Sequence, residues 1–211
     1  MTAKSHEKQV VFQRVPLASA KKAMILLHGR GASAASILSL QEYLDLEGFA
    51  LLAPEATNHT WYPYSFMAPV EQNEPWLSSA IELIAELVAD CKAAGIPESG
   101  IHFLGFSQGA CLTLEFAARN AARYGSVTAF TGGLIGEKIN RDNYAGAFIE
   151  TPVFIGCSDR DMHVPVERVY ASTNILTEMG AKVIEKIYPG MGHTINEDEI
   201  SIVNSILNET T

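Results

Sequence analysis

The chain has 211 residues, 47% of them hydrophobic and 18% charged, with a net charge of −9 at pH 7. That is ample apolar material for one domain spanning residues 1–211, and nothing in it reads as disordered. The acidic balance speaks against a nucleic-acid partner and against docking on anionic lipid, and it favours solubility.

Met1 to Gln9 is polar and charged, without the apolar segment of a secretion signal. Val10 to Val15 reads as an extended strand ended by Pro16, and Met24 to Leu27 as a short apolar run of the kind buried in a sheet. Helical spacing runs over Ser36 to Leu46 and stops at Gly48. Phe49 to Leu52 is the next strand, closed by Pro54. The irregular stretch Ala56 to Pro75 contains Trp61, Tyr62, Tyr64, Phe66 and Met67, and a loop that long in a compact domain is usually functional. Trp76 to Ala94 is predicted as an amphipathic helix with Gly95 after it. Strands follow at Ile101 to Leu104, Val127 to Phe130, Val153 to Ile155 and Lys182 to Tyr188. Helices are predicted over Ala110 to Arg119, Val166 to Met179 and Ile200 to Leu207. This alternation predicts an α/β fold: a mostly parallel central sheet flanked by helices on both faces, with functional groups at the carboxyl ends of the strands. No apolar run is long enough for stable membrane insertion. Cys91, Cys111 and Cys157 have no paired spacing, which favours buried thiols in a reducing compartment and hence a cytoplasmic protein.

Gly105-Phe106-Ser107-Gln108-Gly109 carries most of the functional information. It reads G-x-S-x-G between a predicted strand and a predicted helix, the context of a nucleophile elbow. Such a turn holds serine in a strained conformation and lifts its hydroxyl out of the sheet, and the flanking glycines leave room for it. A serine hydroxyl needs a base, and the base needs a carboxylate to fix its tautomer. In a sheet enzyme of this type both follow the serine, acid first. Asp159 and Asp161 lie in the loop after the strand Val153 to Ile155, and either could be the acid. Asp142 is less attractive because no clear strand precedes it. His193, between the last strand and the last helix, is the expected base. His163 stands too close in sequence to Asp161, His6 sits in the polar leader, and His102 lies within a strand. An oxyanion needs two backbone donors, expected from the Gln108 amide and from the Arg30 amide in His28-Gly29-Arg30-Gly31. No metal-ligand spacing and no dinucleotide fingerprint is present, so neither a metal nor a cofactor is expected.

Together, His28-Gly29-Arg30-Gly31, Gly105-Phe106-Ser107-Gln108-Gly109, Asp159-Arg160-Asp161 with Val164-Pro165, and Gly190-Met191-Gly192-His193 resemble the phospholipase/carboxylesterase family. These are small α/β-hydrolases that include acyl-protein thioesterases and bacterial carboxylesterases. The resemblance runs in order from the Met24 strand to the last helix. It implies an α/β-hydrolase fold with a minimal cap or none, hydrolysis of acyl esters or thioesters, and a possible homodimer. It also implies that the acid is the second Asp of the Asp-x-Asp pair, Asp161. Two departures stand out: Met162 where the family often has Pro, and Arg30 with Ala32 where the thioesterase branch carries Leu and then an acidic residue. The Arg30 side chain could orient an anionic substrate, but a solvated side chain of which only the amide matters is the preferred expectation.

The expectation is therefore a serine carboxylesterase acting on a small-molecule acyl ester through an acyl-Ser107 intermediate. Ser107, His193 and Asp161 are its triad, and Trp61, Tyr62, Tyr64, Phe66 and Met67 wall its acyl pocket. One alternative is an acyl thioesterase or lysophospholipase. Another, of a different class, is a hydrolase-fold protein that binds a ligand without turnover.

Overall fold

The computed structural model describes residues 5–209. The reading of Met1 to Gln9 as a polar leader thus lies outside the described residues for its first four positions. Among the described residues, seven strands form one sheet: β1 (Val10–Arg14), β2 (Lys22–Leu27), β3 (Phe49–Pro54), β4 (Ile101–Phe106), β5 (Ser126–Phe130), β6 (Pro152–Ser158) and β7 (Lys182–Tyr188). Their order is β1-β3-β2-β4-β5-β6-β7. β1 runs antiparallel to β3, and every other pairing is parallel.

The period-2 geometry of a strand splits the core into two layers. In β2, Ala23, Ile25 and Leu27 join the core beneath α2 (Trp76–Ala93), α3 (Gln108–Arg119) and α4 (Val166–Glu178). Met24 and Leu26 point to the other face, where α1 (Ala34–Leu38) and α5 (Glu197–Glu209) cover them. Both faces being covered, β2 is apolar without alternation, as the sequence shows. Each fully buried Leu or Ile contributes roughly 1.5–3 kcal/mol.

The helix predicted over Ser36 to Leu46 is a correction. It starts earlier, at Ala34, because Ser33 and Ser36 cap it reciprocally, each hydroxyl accepting from the other's amide. It ends at Leu38 and tightens into a 3₁₀ turn over Ser39–Glu42. Leu44 and Leu46 are buried from the loop beyond, which produced the misleading helical spacing. The last helix likewise begins at Glu197, because Asn196 and Glu199 exchange side-chain-to-amide bonds there.

Strand register positions the site. Leu27 pairs with Gly105, so the chain leaving β2 meets the chain leaving β4. Ser158 pairs with Tyr188, so the loops after β6 and β7 also meet.

Candidate active site

Ser107 sits between β4 and α3 with φ 55° and ψ −118°, a strained backbone for a residue with a side chain. The strain is held from several sides. The Ser107 amide donates to Phe130 O at 2.9 Å, and the Cys111 amide donates to Ser107 O at 3.0 Å. A Cβ at Gly109 would overlap the carbonyls of Leu27 and His28, so α3 reaches β2 only because that position is glycine.

His193 is half-buried, and its Nε2 lies 2.8 Å from Ser107 Oγ. Its Nδ1 lies 2.7 Å from Asp161 Oδ2. A ring that donates from Nδ1 to the carboxylate leaves Nε2 free to accept the serine proton. The Asp161 side chain is buried, and its Oδ1 accepts the amides of His163 at 2.7 Å and Val164 at 2.9 Å. Burial pushes the Asp161 carboxyl up, but the bonds from His163, His193 and Val164 outweigh it and hold the group below its ordinary value. Asp159 points elsewhere: its Oδ1 accepts the Gly190 amide at 2.7 Å and shapes the loop that carries His193. Ser158 Oγ accepts the Gly192 amide at 3.1 Å in the same loop.

Gly29 is packed against Ser107, where an added Cβ would stand 3.5 Å from Ser107 Cβ. The loop that carries Arg30 is thus packed against the elbow at Gly29, and Gln108 opens α3 directly after Ser107. His28 is fully buried, and burial lowers its pKa. It accepts the Ala56 amide on Nε2 at 3.1 Å and faces Gly29 O with Nδ1 at 2.8 Å, a structural role.

A cavity of about 630 Å³ opens over Ser107 and His193. Tyr62, Tyr64 and Phe66 line it, with Phe106, Cys111 and Val164. Trp61 and Met67 do not. Trp61 is fully buried, its indole N–H donates to His28 O at 2.8 Å, and its ring packs on His6 and His28. Met67 packs against the core from the side. His6 is also a correction: it is 1% exposed, and its ring meets Trp61 O at 2.9 Å and the Thr57 amide at 3.2 Å.

Sequence reasoning missed three contributors to the site. His163 lines the cavity, edge-on to His193 with ring centroids 4.8 Å apart. Cys111 follows Ser107 by four residues, a spacing that puts both on one helix face and could have flagged it. Burial pushes its thiol up to about 12, so it stays protonated. The third is the Arg30 side chain, which is neither idle nor free for substrate: it donates to four acceptors in residues 60–64. No sequence signal pointed to that contact.

Among the described residues, no helix is long and apolar enough to cross a membrane. A family model for phospholipase/carboxylesterase matches residues 9–211. A crystal structure of a phospholipase/carboxylesterase from Dyadobacter fermentans is 54% identical, with a TM-score of 0.95, and the match covers 98% of this chain and 100% of that one. A probable carboxylesterase of Oryza sativa is 25% identical over 201 residues, 86% of this chain and 75% of that protein. Acyl-protein thioesterase 1 of Gibberella zeae is 31% identical over 116 residues, about half of each chain (54% and 49%).

Proposed function

The chain belongs to the phospholipase/carboxylesterase family, and from that premise we propose that it hydrolyses carboxylic acyl esters through an acyl-Ser107 intermediate. Ser107 Oγ attacks the acyl carbonyl while its proton passes to His193 Nε2. Asp161 holds the His193 ring and stabilises the imidazolium. The amides of Arg30 and Gln108 receive the oxyanion, and losing one such donor costs about 3 kcal/mol of transition-state stabilisation. The ester C–O bond then breaks, and His193 gives its proton to the departing alkoxide. Water attacks the acyl-enzyme in the second half, with His193 as base. The carboxylic acid leaves and the Ser107 hydroxyl is restored.

The observation that carries this reading is the unbroken line of contacts Asp161–His193–Ser107, at 2.7 and 2.8 Å, with Ser107 and His193 lining the cavity. The aromatic and aliphatic lining of Tyr62, Phe66, Phe106 and Val164 suits an acyl group. A thioester would react by the same steps, and the likeness to an acyl-protein thioesterase makes it the second substrate class to try.

The test is hydrolysis of nitrophenyl esters from acetyl to palmitoyl, with acyl-CoA thioesters in parallel. Ser107→Ala is expected to lose at least about 10⁴-fold in kcat while remaining folded. Mass spectrometry of the unmodified protein should capture an acyl group on the Ser107 peptide. Undiminished turnover by Ser107→Ala sinks the covalent mechanism. A folded protein that turns over no ester or thioester is a binding protein instead.

A further inference from the structure

Arg30 is exposed, yet both Nη atoms of its guanidinium are bonded to backbone and hydroxyl oxygens of residues 60–64. Nη1 donates to Thr60 Oγ1 and to Pro63 O, both at 2.9 Å. Nη2 donates to Tyr62 O at 2.9 Å and to Tyr64 O at 2.7 Å. A planar fork can serve such diverging acceptors at once, and an ammonium cannot. The same stretch is gripped from the other side by Gln108. Its Nε2 donates to Tyr62 O at 2.8 Å, and its Oε1 accepts the Trp61 amide at 3.0 Å. The Thr60 hydroxyl adds a further bond to Tyr62 O at 3.0 Å. Donors from the loop after β2, from the first residue of α3 and from Thr60 therefore converge on one carbonyl.

Tyr62 is the wall this arrangement holds. Its side chain is 1% exposed and lines the cavity beside Cys111, and its ring centroid lies 5.9 Å from the Arg30 guanidinium carbon. The two residues whose side chains grip its backbone, Arg30 and Gln108, are the two whose amides are proposed above to receive the oxyanion. Arg30, Gln108 and the Tyr62 wall are thus parts of one hydrogen-bonded unit.

We propose that Arg30 is a specificity-determining residue: by locking the Thr60–Tyr64 backbone it holds Tyr62 in place as a rigid wall and restricts the site to short acyl groups. The proposal rests on the ester-hydrolase reading above. It assigns the guanidinium to the wall and gives it no contact with the ester. Release of the fork lets the wall yield, so long acyl chains gain entry and short ones lose a surface to pack on.

The experiment compares the unmodified protein with Arg30→Met and Arg30→Lys. It measures kcat and KM on nitrophenyl acetate and nitrophenyl octanoate, with hydrogen exchange of the amides in residues 60–64. In Arg30→Met the octanoate-to-acetate ratio of kcat/KM is expected to rise about 10-fold, mostly through KM. The amides of Trp61 and Tyr64 should exchange at least about 10-fold faster. Arg30→Lys should behave like Arg30→Met, because a point charge cannot hold the same acceptors. An unchanged ratio, with both esters falling together, overturns the proposal and leaves Arg30 a structural residue. Unmodified selectivity in Arg30→Lys but not in Arg30→Met also overturns it, since charge and not the fork would then be at work. If the unmodified protein turns over neither ester, the ester-hydrolase reading fails and the proposal fails with it. Turnover with an unshifted ratio sinks the proposal alone.

Discussion

The turn that carries Ser107 is packed solid, since a Cβ at Gly109 would overlap the carbonyls of Leu27 and His28. The loop that carries His193 is open: Gly192 has nothing within 4 Å of where its Cβ would be, and is glycine because its φ is +79°. One side of the 2.8 Å Ser107–His193 contact is thus fixed by steric exclusion inside the core. The other is fixed by a few polar acceptors: Asp159 for the Gly190 amide, Ser158 for the Gly192 amide, and Asp161 for the ring. The difference teaches where damage should fall. Changes that crowd the elbow's backbone at its glycines should break the fold, and changes in the His193 loop should spare the fold and break the chemistry.

The largest expected effect is Gly109→Ala. Leu27 O and His28 O are backbone atoms that cannot swing aside, so the variant should lose more than about 4 kcal/mol or fail to fold. Urea denaturation measures it, and a loss below about 1 kcal/mol would erase the contrast between the two loops. Next comes Asp161→Asn, which keeps the side chain's shape and leaves the His163 and Val164 amides an acceptor. We expect kcat on nitrophenyl esters to fall about 10⁴-fold through the wrong His193 tautomer, with a melting temperature within a few degrees of the unmodified protein. A large loss of stability instead would show that the open side is also structural.

Glu199 sharpens the comparison from behind the His193 loop. It is fully buried, its Oε2 accepts the Asn196 amide, and its Oε1 has no hydrogen-bond partner. Burial pushes its carboxyl up from 4.5 to about 7, with Asp198 adding to the rise against the pull of the Asn196 amide. The folded state therefore favours the protonated form. Its contribution is full below the ordinary value of 4.5 and is lost as pH rises through about 7. Glu199→Gln should flatten stability between pH 5 and 8, where the unmodified protein loses on the order of 3 kcal/mol. Identical pH slopes in denaturation curves of the two proteins would rule this out. The smallest effect is Gly192→Ala, which meets no atoms and adds about 1 kcal/mol of left-handed backbone strain. Thermal melting reads that loss, and kcat should fall further than stability alone explains because His193 is the next residue.

The strands and the elbow were legible because their signals are local. A run such as Met24 to Leu27, apolar on both faces, can only sit inside a sheet. Gly105 to Gly109 between a strand and a helix leaves few other conformations for Ser107. Helix starts were less legible, since α1 and α5 are set by reciprocal pairs of capping bonds that apolar spacing does not report. The aromatic loop was the least legible. Residue type alone grouped Trp61 and Met67 with Tyr62 and Phe66, yet Trp61 belongs to the core and the cavity wall excludes both.

By itself, the order of residues along the chain determined the α/β alternation, the strained serine turn, and the candidate acid and base in the loops after later strands. Those follow from spacing and backbone propensity, which act within a few residues. Only the tertiary structure decided that Asp159 shapes a loop while Asp161 meets His193, that His6 is buried under Trp61, and that Arg30 clasps the backbone of residues 60–64. Each of these is a hydrogen bond between segments about thirty or more residues apart, and which donor finds which acceptor depends on how the sheet brings its loops together.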